Sequence, residues 1–335
     1  MRYLWAMVLR FTDKGMYCPA GDFYIDPTHP VDRALITHAH ADHARHGHKH
    51  YLASDGTAPI MRHRLGAISS ESVPYGVNLQ IGGARVSFHP AGHVPGSAQI
   101  RIEVGGETWV AAGDYKVIND GVSEAFEPIK CDAFITESTF ALPAFKWTPD
   151  AELKAQINSW WAGNAANGAT SVIGAYSLGK AQRVLAALDV DIGPILVHKT
   201  VDDTNRVLAG QGVVLPDTTV LSADTNTKSH PGAIIIAPPG ALDSAQMRGF
   251  APTATAFASG WMAVRGIRRR RNVDTGFIMS DHADWDGLNT AIRETGAERI
   301  IVTHGYTSVF TRWLTEQGYN AQIVEAGFDR DDDAE

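Results

Sequence analysis

The sequence predicts an α/β protein in two parts: a strand-rich part that carries most of the histidines, and an α/β unit inserted into it. Three observations predict this. Over residues 23–136, short apolar runs are punctuated by Gly and Pro, as strands joined by tight loops are. Over 150–274, apolar runs alternate with stretches of helical spacing, which suggests a largely parallel sheet. After that the strand-like runs return, and each ends in a turn bearing a histidine. The expected division is 1–149 with 275–335 for the first part and 150–274 for the insert, and a chain of 335 residues fits two domains.

The elements follow in order. Residues 23–26, 85–88, 99–104 and 108–112 have strand composition, and Gly105-Gly106 between the last two is a hairpin signal. Residues 134–136 read as a buried strand. After Thr148-Pro149-Asp150, the residues Leu153, Ile157, Trp160 and Trp161 recur at helical spacing until Asn167-Gly168. These tryptophans read as core rather than as platforms for stacked bases. Strands are expected over 171–176, 195–198, 232–237 and 253–258, with a helix over 180–188. Residues 276–280 and 299–303 are strands again.

Composition narrows the class. Apolar residues make up 44% and charged residues 20%, ordinary values for a globular protein. No apolar run is long enough to span a bilayer; the longest, 233–237, stops at Pro238-Pro239. Residues 1–9 imitate a signal segment but lack a clear small-residue cleavage site and meet Arg10 quickly, so a poorly placed start or a first strand is expected there. Two cysteines, Cys18 and Cys131, with no CxxC, point to core thiols and a reducing, cytoplasmic compartment. The net charge of −8 argues against nucleic acid. Bound dications would neutralise some of it locally, and the acidic run 329–335 reads as a solvated tail away from any site.

Thr37-His38-Ala39-His40-Ala41-Asp42-His43 carries the chemistry. It follows the strand-like Ala34-Leu35-Ile36 and packs three imidazoles and a carboxylate into six positions, a donor set suited to divalent ions such as zinc. In extended chain His38 and His40 point the same way, while Asp42 and His43 can reach a neighbouring ion, which suggests a two-metal hydrolase. Further candidates lie at strand ends or in a glycine-containing loop: Asp26, His93 in Pro90-Ala91-Gly92-His93, Asp114, Glu137 and His304. Ligands placed so sit on a rigid rim.

This arrangement resembles the metallo-β-lactamase fold, and within it the β-CASP nucleases. The nuclease branch is marked by Glu137, by the 150–274 insert, and by the late His282 (Ser280-Asp281-His282-Ala283-Asp284) and His304 (Thr303-His304-Gly305). The resemblance implies a four-layer αββα sandwich with an inserted α/β domain. It implies that His38, His40 and His93 hold one metal, that Asp42, His43 and His304 hold a second, that Asp114 bridges them, and that Asp26 orients the histidine loop. Zinc is the expected ion, manganese or iron the alternatives. The chain is most similar to bacterial ligase-associated DNA exonucleases, relatives of the Artemis-like nucleases, through Tyr17-Cys18-Pro19-Ala20-Gly21-Asp22-Phe23, Thr136-Glu137-Ser138-Thr139-Phe140, Tyr176-Ser177-Leu178-Gly179-Lys180-Ala181-Gln182-Arg183, Arg268-Arg269-Arg270-Arg271 and Ser280 to Trp285. That implies DNA as substrate, as single strands or duplex ends, and a working association with a DNA ligase and a helicase. His304 departs from the pattern: RNA-processing members usually have histidine there and Artemis-like members often have valine, so RNA stays open.

The implied mechanism is two-metal phosphodiester hydrolysis. Asp42 would accept a proton from the attacking water. His282, oriented by Glu137, would protonate the leaving oxygen. Ser177, Lys180, Arg183 and Lys116 are candidate phosphate contacts, and Arg268, Arg269, Arg270 and Arg271 a candidate contact to a nucleic-acid backbone. Simpler readings compete: Glu137, Asp281 and Asp284 as turn or cap residues, the basic residues as solvated charges, His46, His48 and His50 as surface histidines, and His89 and His198 as structural ones. A binding subunit without activity would lack ligands, and none is missing. A lactamase or thioesterase would not need the insert with His282 and Glu137.

Overall fold

A computed structural model describes residues 8–324, apart from 243, 245 and 272. The chain order is β1 (Arg10–Thr12), β2 (Gly15–Cys18), β3 (Phe23–Ile25), β4 (Arg33–Leu35), β5 (His50–Ser54), α1 (Thr57–Leu65), β6 (Ser70–Val73), β7 (Leu79–Ile81), β8 (Ala84–Pro90), β9 (Ala98–Val104), β10 (Glu107–Ala111) and β11 (Ala133–Ser138). It continues with α2 (Asp150–Ala166), β12 (Thr170–Gly174), α3 (Lys180–Ala187), β13 (Ile195–Val197), α4 (Lys199–Ala209), β14 (Thr219–Val220), β15 (Ile234–Ala237), β16 (Thr253–Ala258) and α5 (Arg265–Arg270). The last elements are β17 (Thr275–Phe277), α6 (Trp285–Thr295), β18 (Arg299–Gly305), α7 (Thr307–Glu316) and β19 (Asn320–Ile323). Residues 8–145 with 282–324 form one unit and 146–281 another. The expected strand at the very start of the chain falls largely, and the acidic run 329–335 wholly, outside the described residues.

In the first unit, β1 to β6 lie in order in a six-stranded sheet, and a second sheet runs β19-β18-β11-β10-β9-β8-β7. Alternation along the strands divides their side chains between two cores. Ile100, Ile102, Trp109 and Ile135 of the second sheet pack with Phe23, Ile25 and Leu35 of the first. Val110, Phe134, Ile300 and Val302 face the other way, onto Leu288 and Ile292 of α6 and Phe310 and Leu314 of α7. Each such side chain contributes roughly 1.5–3 kcal/mol by leaving water. α1 packs along β5 and β6. The Gly105-Gly106 turn joins antiparallel β9 and β10, both glycines at positive φ as that turn requires.

The strands β10, β11 and β18 are mutually parallel neighbours. Their carboxyl ends therefore share one edge of the sheet. Asp114 follows β10, Glu137 lies near the end of β11, and His304 near the end of β18. Topology thus gathers residues far apart in sequence.

In the second unit one sheet runs β14-β13-β15-β12-β16-β17, and all its pairings are parallel. Helix α2 buries Leu153, Ile157 and Trp161. The Trp161 indole donates to the Gly232 carbonyl at 2.9 Å, while half-buried Trp160 packs edge-on to Phe277. Strand β17 pairs with β16. The segment expected to rejoin the first part at 275 thus completes the insert's sheet, and the chain returns at His282. A short apolar strand reads the same whichever sheet it joins, so its composition could not decide this. Cys18 is buried as expected, whereas Cys131 is only partly so. Among the described residues no helix is long and apolar enough to cross a membrane.

Candidate metal centre

The histidine loop is built around one buried carboxylate. Asp26, at φ +43°, accepts the Thr37 amide at 2.8 Å and the Thr37 hydroxyl at 2.6 Å, and its Oδ2 lies 2.8 Å from His43 Nδ1. This fixes the His43 ring and leaves Nε2 as the ligand atom, the usual service of an outer carboxylate to a metal-binding imidazole. Arg64, at the end of α1, closes the loop from the other side by donating to the carbonyls of Ala39 and Ala44 at 2.8 and 2.6 Å. Sequence reading missed Arg64, because the helix α1 that presents it was not read from the sequence. Thr37 was also missed, although it directly precedes the histidines.

Three imidazoles converge. His38 Nε2 and His93 Nε2 each lie 3.1 Å from His40 Nδ1. Ligands at about 2.0–2.1 Å on a tetrahedral zinc stand roughly 3.4 Å apart, so the spacing suits one shared ion. Asp114 supplies a carboxylate to the same place: its Oδ2 is 3.5 Å from His38 Nε2 and 3.8 Å from His93 Nε2. That oxygen is also 3.4 Å from His43 Nε2, which in turn is 3.3 Å from Asp42 Oδ2. The other oxygen of Asp114 is 3.4 Å from His304 Nε2. His38, His40, His93 and Asp114 offer donors within 4.8 Å of one another, as do His38, Asp42 and His43. His304 stands further off, its ring centre 6.5 Å from that of His43, and meets the cluster through Asp114.

The charges suit a cation. Burial, with the charge that His43 and His93 would carry, pushes the His38 imidazole well below its ordinary range, so it is neutral as a ligand must be. Burial opposes charge on His43, but the carboxylates of Asp42, Asp114 and Asp26 outweigh it and raise that imidazole well above its usual value. Burial also opposes charge on Asp114 and Asp42, yet both stay ionised: His43 dominates for each, joined by His282 and His304 at Asp114. A divalent ion among these groups would take the place of the proton on His43.

Glu137 sits where the β11–β18 register shifts, between the pairs Thr136–Val302 and Ser138–Gly305. Such an irregularity re-aims a side chain. Its buried carboxylate accepts the Tyr115 amide at 3.0 Å and lies 2.9 and 3.0 Å from His282 Nδ1. The His282 ring packs against those of His93 and Phe140. Asp114, Glu137 and His282 also lie close enough to share a cation. Gly305 permits the turn beyond His304. Its φ is +89°, and an added Cβ would fall 2.4 Å from the Ser138 backbone.

The remaining candidates lie elsewhere. Lys116 is 3% exposed, with Nζ 3.6 Å from Asp120 Oδ2. In the second unit Ser177 bonds Thr200 at 2.9 Å. Lys180 and Arg183 are buried and face carboxylates. Arg268, Arg269 and Arg270 are exposed on α5, while Arg271 stacks on Phe257. Asp284 caps α6 through the Gly287 amide. His46 and His50 are exposed; His48 is buried against Tyr51, with neither ring nitrogen hydrogen-bonded within the described protein. His89 bonds Ser87 and Glu127, and His198 caps α4.

No protein-family model matches the chain. It is 31% identical to a probable DNA ligase of Opitutus terrae over 92% of its own length, and spans 30% of that longer protein. It is 32% identical to the endoribonuclease YSH1 of Candida albicans over 36% of its length, spanning 14% of that protein. An RNase J-like protein of Methanocaldococcus jannaschii is 27% identical over 53% of the chain and 48% of its own length. The chain thus spans less than half the length of each of these relatives. The fold is similar to that of a protein of unknown function from Enterococcus faecalis V583, with a TM-score of 0.57 at 10% identity, covering 89% of this chain and 80% of that one.

Proposed function

We propose that the chain is a two-metal phosphodiesterase acting as a DNA exonuclease, on the metallo-β-lactamase and β-CASP plan and in the service of DNA repair. One observation carries the reading: the carboxylate of Asp114 meets histidines of both sets, Oδ2 lying near His38, His93 and His43, and Oδ1 near His304. A carboxylate so placed suits a bridge between two cations. The shared core of the two sheets and the α6–α7 layer support the sandwich architecture.

His38, His40 and His93 would hold one ion, Asp42, His43 and His304 the other, and Asp114 both. Such ions neutralise phosphate charge and make water acidic enough to attack at neutral pH; zinc suits the donors, and manganese or iron could replace it. Asp42, held ionised, accepts the proton of the attacking water. His282 donates to the leaving oxygen from Nε2, because Nδ1 is held by Glu137. Exposed Arg268, Arg269 and Arg270 contact the nucleic-acid backbone, and Ser177 adds a polar group, whereas Lys116 is buried against Asp120 and is no such contact.

DNA is favoured because the relative that matches 92% of the chain is a probable DNA ligase, which also supports a functional association with ligation. The second reading, an RNA-processing nuclease, is favoured by His304 and by the endoribonuclease and RNase J-like relatives over shorter stretches. Digestion of matched DNA and RNA, labelled at either end and supplied with zinc or manganese, separates them, with Asp42→Ala as the blank. Progressive loss of DNA from one end is expected. Cleavage confined to RNA would select the second reading, and cleavage of neither would end both.

A further inference from the structure

The inserted unit holds a buried ionic cluster that hydrolysis as proposed does not use. Arg183, in the first turn of α3, is 7% exposed. Its Nη1 donates to the Ser280 carbonyl and lies 3.1 Å from Asp281 Oδ1, and its Nη2 lies 3.3 Å from Asp150 Oδ1. Lys180, the first residue of α3 and 2% exposed, places Nζ 3.8 Å from Asp281 Oδ2 and 5.1 Å from the Tyr176 ring centre. Asp281 is 2% exposed.

Buried ion pairs seldom add net stability over apolar replacements, so their value lies elsewhere. A guanidinium is a rigid fork. One that grips the carbonyl of Ser280 and the carboxylate of Asp281 fixes both position and orientation of that dipeptide. The next residue is His282. Its ring is held by Glu137, but the place from which its backbone delivers the ring is set by the residues before it.

We infer that Arg183, acting through Ser280 and Asp281, is a positioning residue for His282. It sets the distance across which the His282 proton travels to the leaving oxygen. This rests on the nuclease reading. Displacement of a catalytic group by about 1 Å can cost roughly a hundredfold in rate. Arg183 is then a brace for proton delivery rather than a phosphate contact.

The test compares two substrates that differ in their need for an acid. An ordinary oligonucleotide leaves as an alkoxide and needs the proton; a thymidine p-nitrophenyl phosphodiester leaves as a stable phenolate and does not. For Arg183→Met, kcat on the oligonucleotide is expected to fall about 10- to 100-fold. KM should change less than threefold, turnover of the p-nitrophenyl diester should stay near the parent rate, and metal content should be unchanged. Arg183→Lys should recover part of the loss. If Arg183→Met does not fold, Asp281→Asn carries the same comparison, since it keeps an oxygen acceptor and the shape. A rise in KM alone, or equal loss on both substrates in a folded variant, overturns the inference. Failure of the parent protein on every substrate would instead sink the nuclease reading.

Discussion

The two units handle buried charge in opposite ways. In the first, Asp42, Asp114 and His43 are held charged beside His38, which is held neutral, and the nitrogens of His38, His40 and His93 crowd together at 3.1 Å. Such a cluster is costly unless a cation joins it. In the second, Arg183 and Lys180 are paired with buried Asp281, Arg183 also reaches exposed Asp150, and further positive charge lies outward on the arginines of α5. The difference teaches that one interior calls for a cation while the other is already balanced by its own ion pairs. One unit stores electrostatic demand for a ligand; the other satisfies its interior and offers charge at its surface.

The sharpest break in that contrast is His282→Ala. If His282 delivers a proton and holds no ion, the variant keeps its metal content while kcat falls about 10²- to 10⁴-fold. Loss of metal from that variant would place His282 among the ligands, as its closeness to Asp114 and Glu137 permits.

Next comes the surface of the second unit. Replacing Arg268, Arg269 and Arg270 together with Gln should weaken DNA binding and lower the slope of log affinity against log salt by about two to three, with kcat little changed. An unaltered slope would show that α5 does not meet the backbone.

The smallest effect concerns His48, which is buried but outside the ligand set. Burial pushes its imidazole from the ordinary 6.5 to about 4. Between those values the unfolded chain binds the proton and the folded chain does not, so stability falls as pH falls through that window. His48→Leu should therefore lose less thermal stability than the parent between pH 6.5 and 4.5. An identical acid limb would show that the ring is not held neutral.

Much of this could be read from the sequence, for identifiable reasons. The converging residues are His, Asp and Glu placed directly after apolar strand runs, and parallel strands bring such ends together. The α2 face and the Gly105-Gly106 turn were legible because their spacing is local. What escaped is long-range. The burial of Lys180 and Arg183 depends on Asp281, about a hundred residues away, and on Asp150; on a helix read alone they look like solvated charges. The return at His282 rather than at 275 depends on β17 finding β16. The aim of Glu137 depends on a register shift, and the burial of His48 on the packing of a loop.

The most direct test of the central claim is the metal content of the purified chain and of Asp114→Ala, measured by mass spectrometry after exposure to zinc or manganese and removal of loose ions. Two ions per chain are expected in the parent, and fewer than one in the variant, because both ions share that carboxylate. A parent that retains none, or a variant that retains both, would contradict the account.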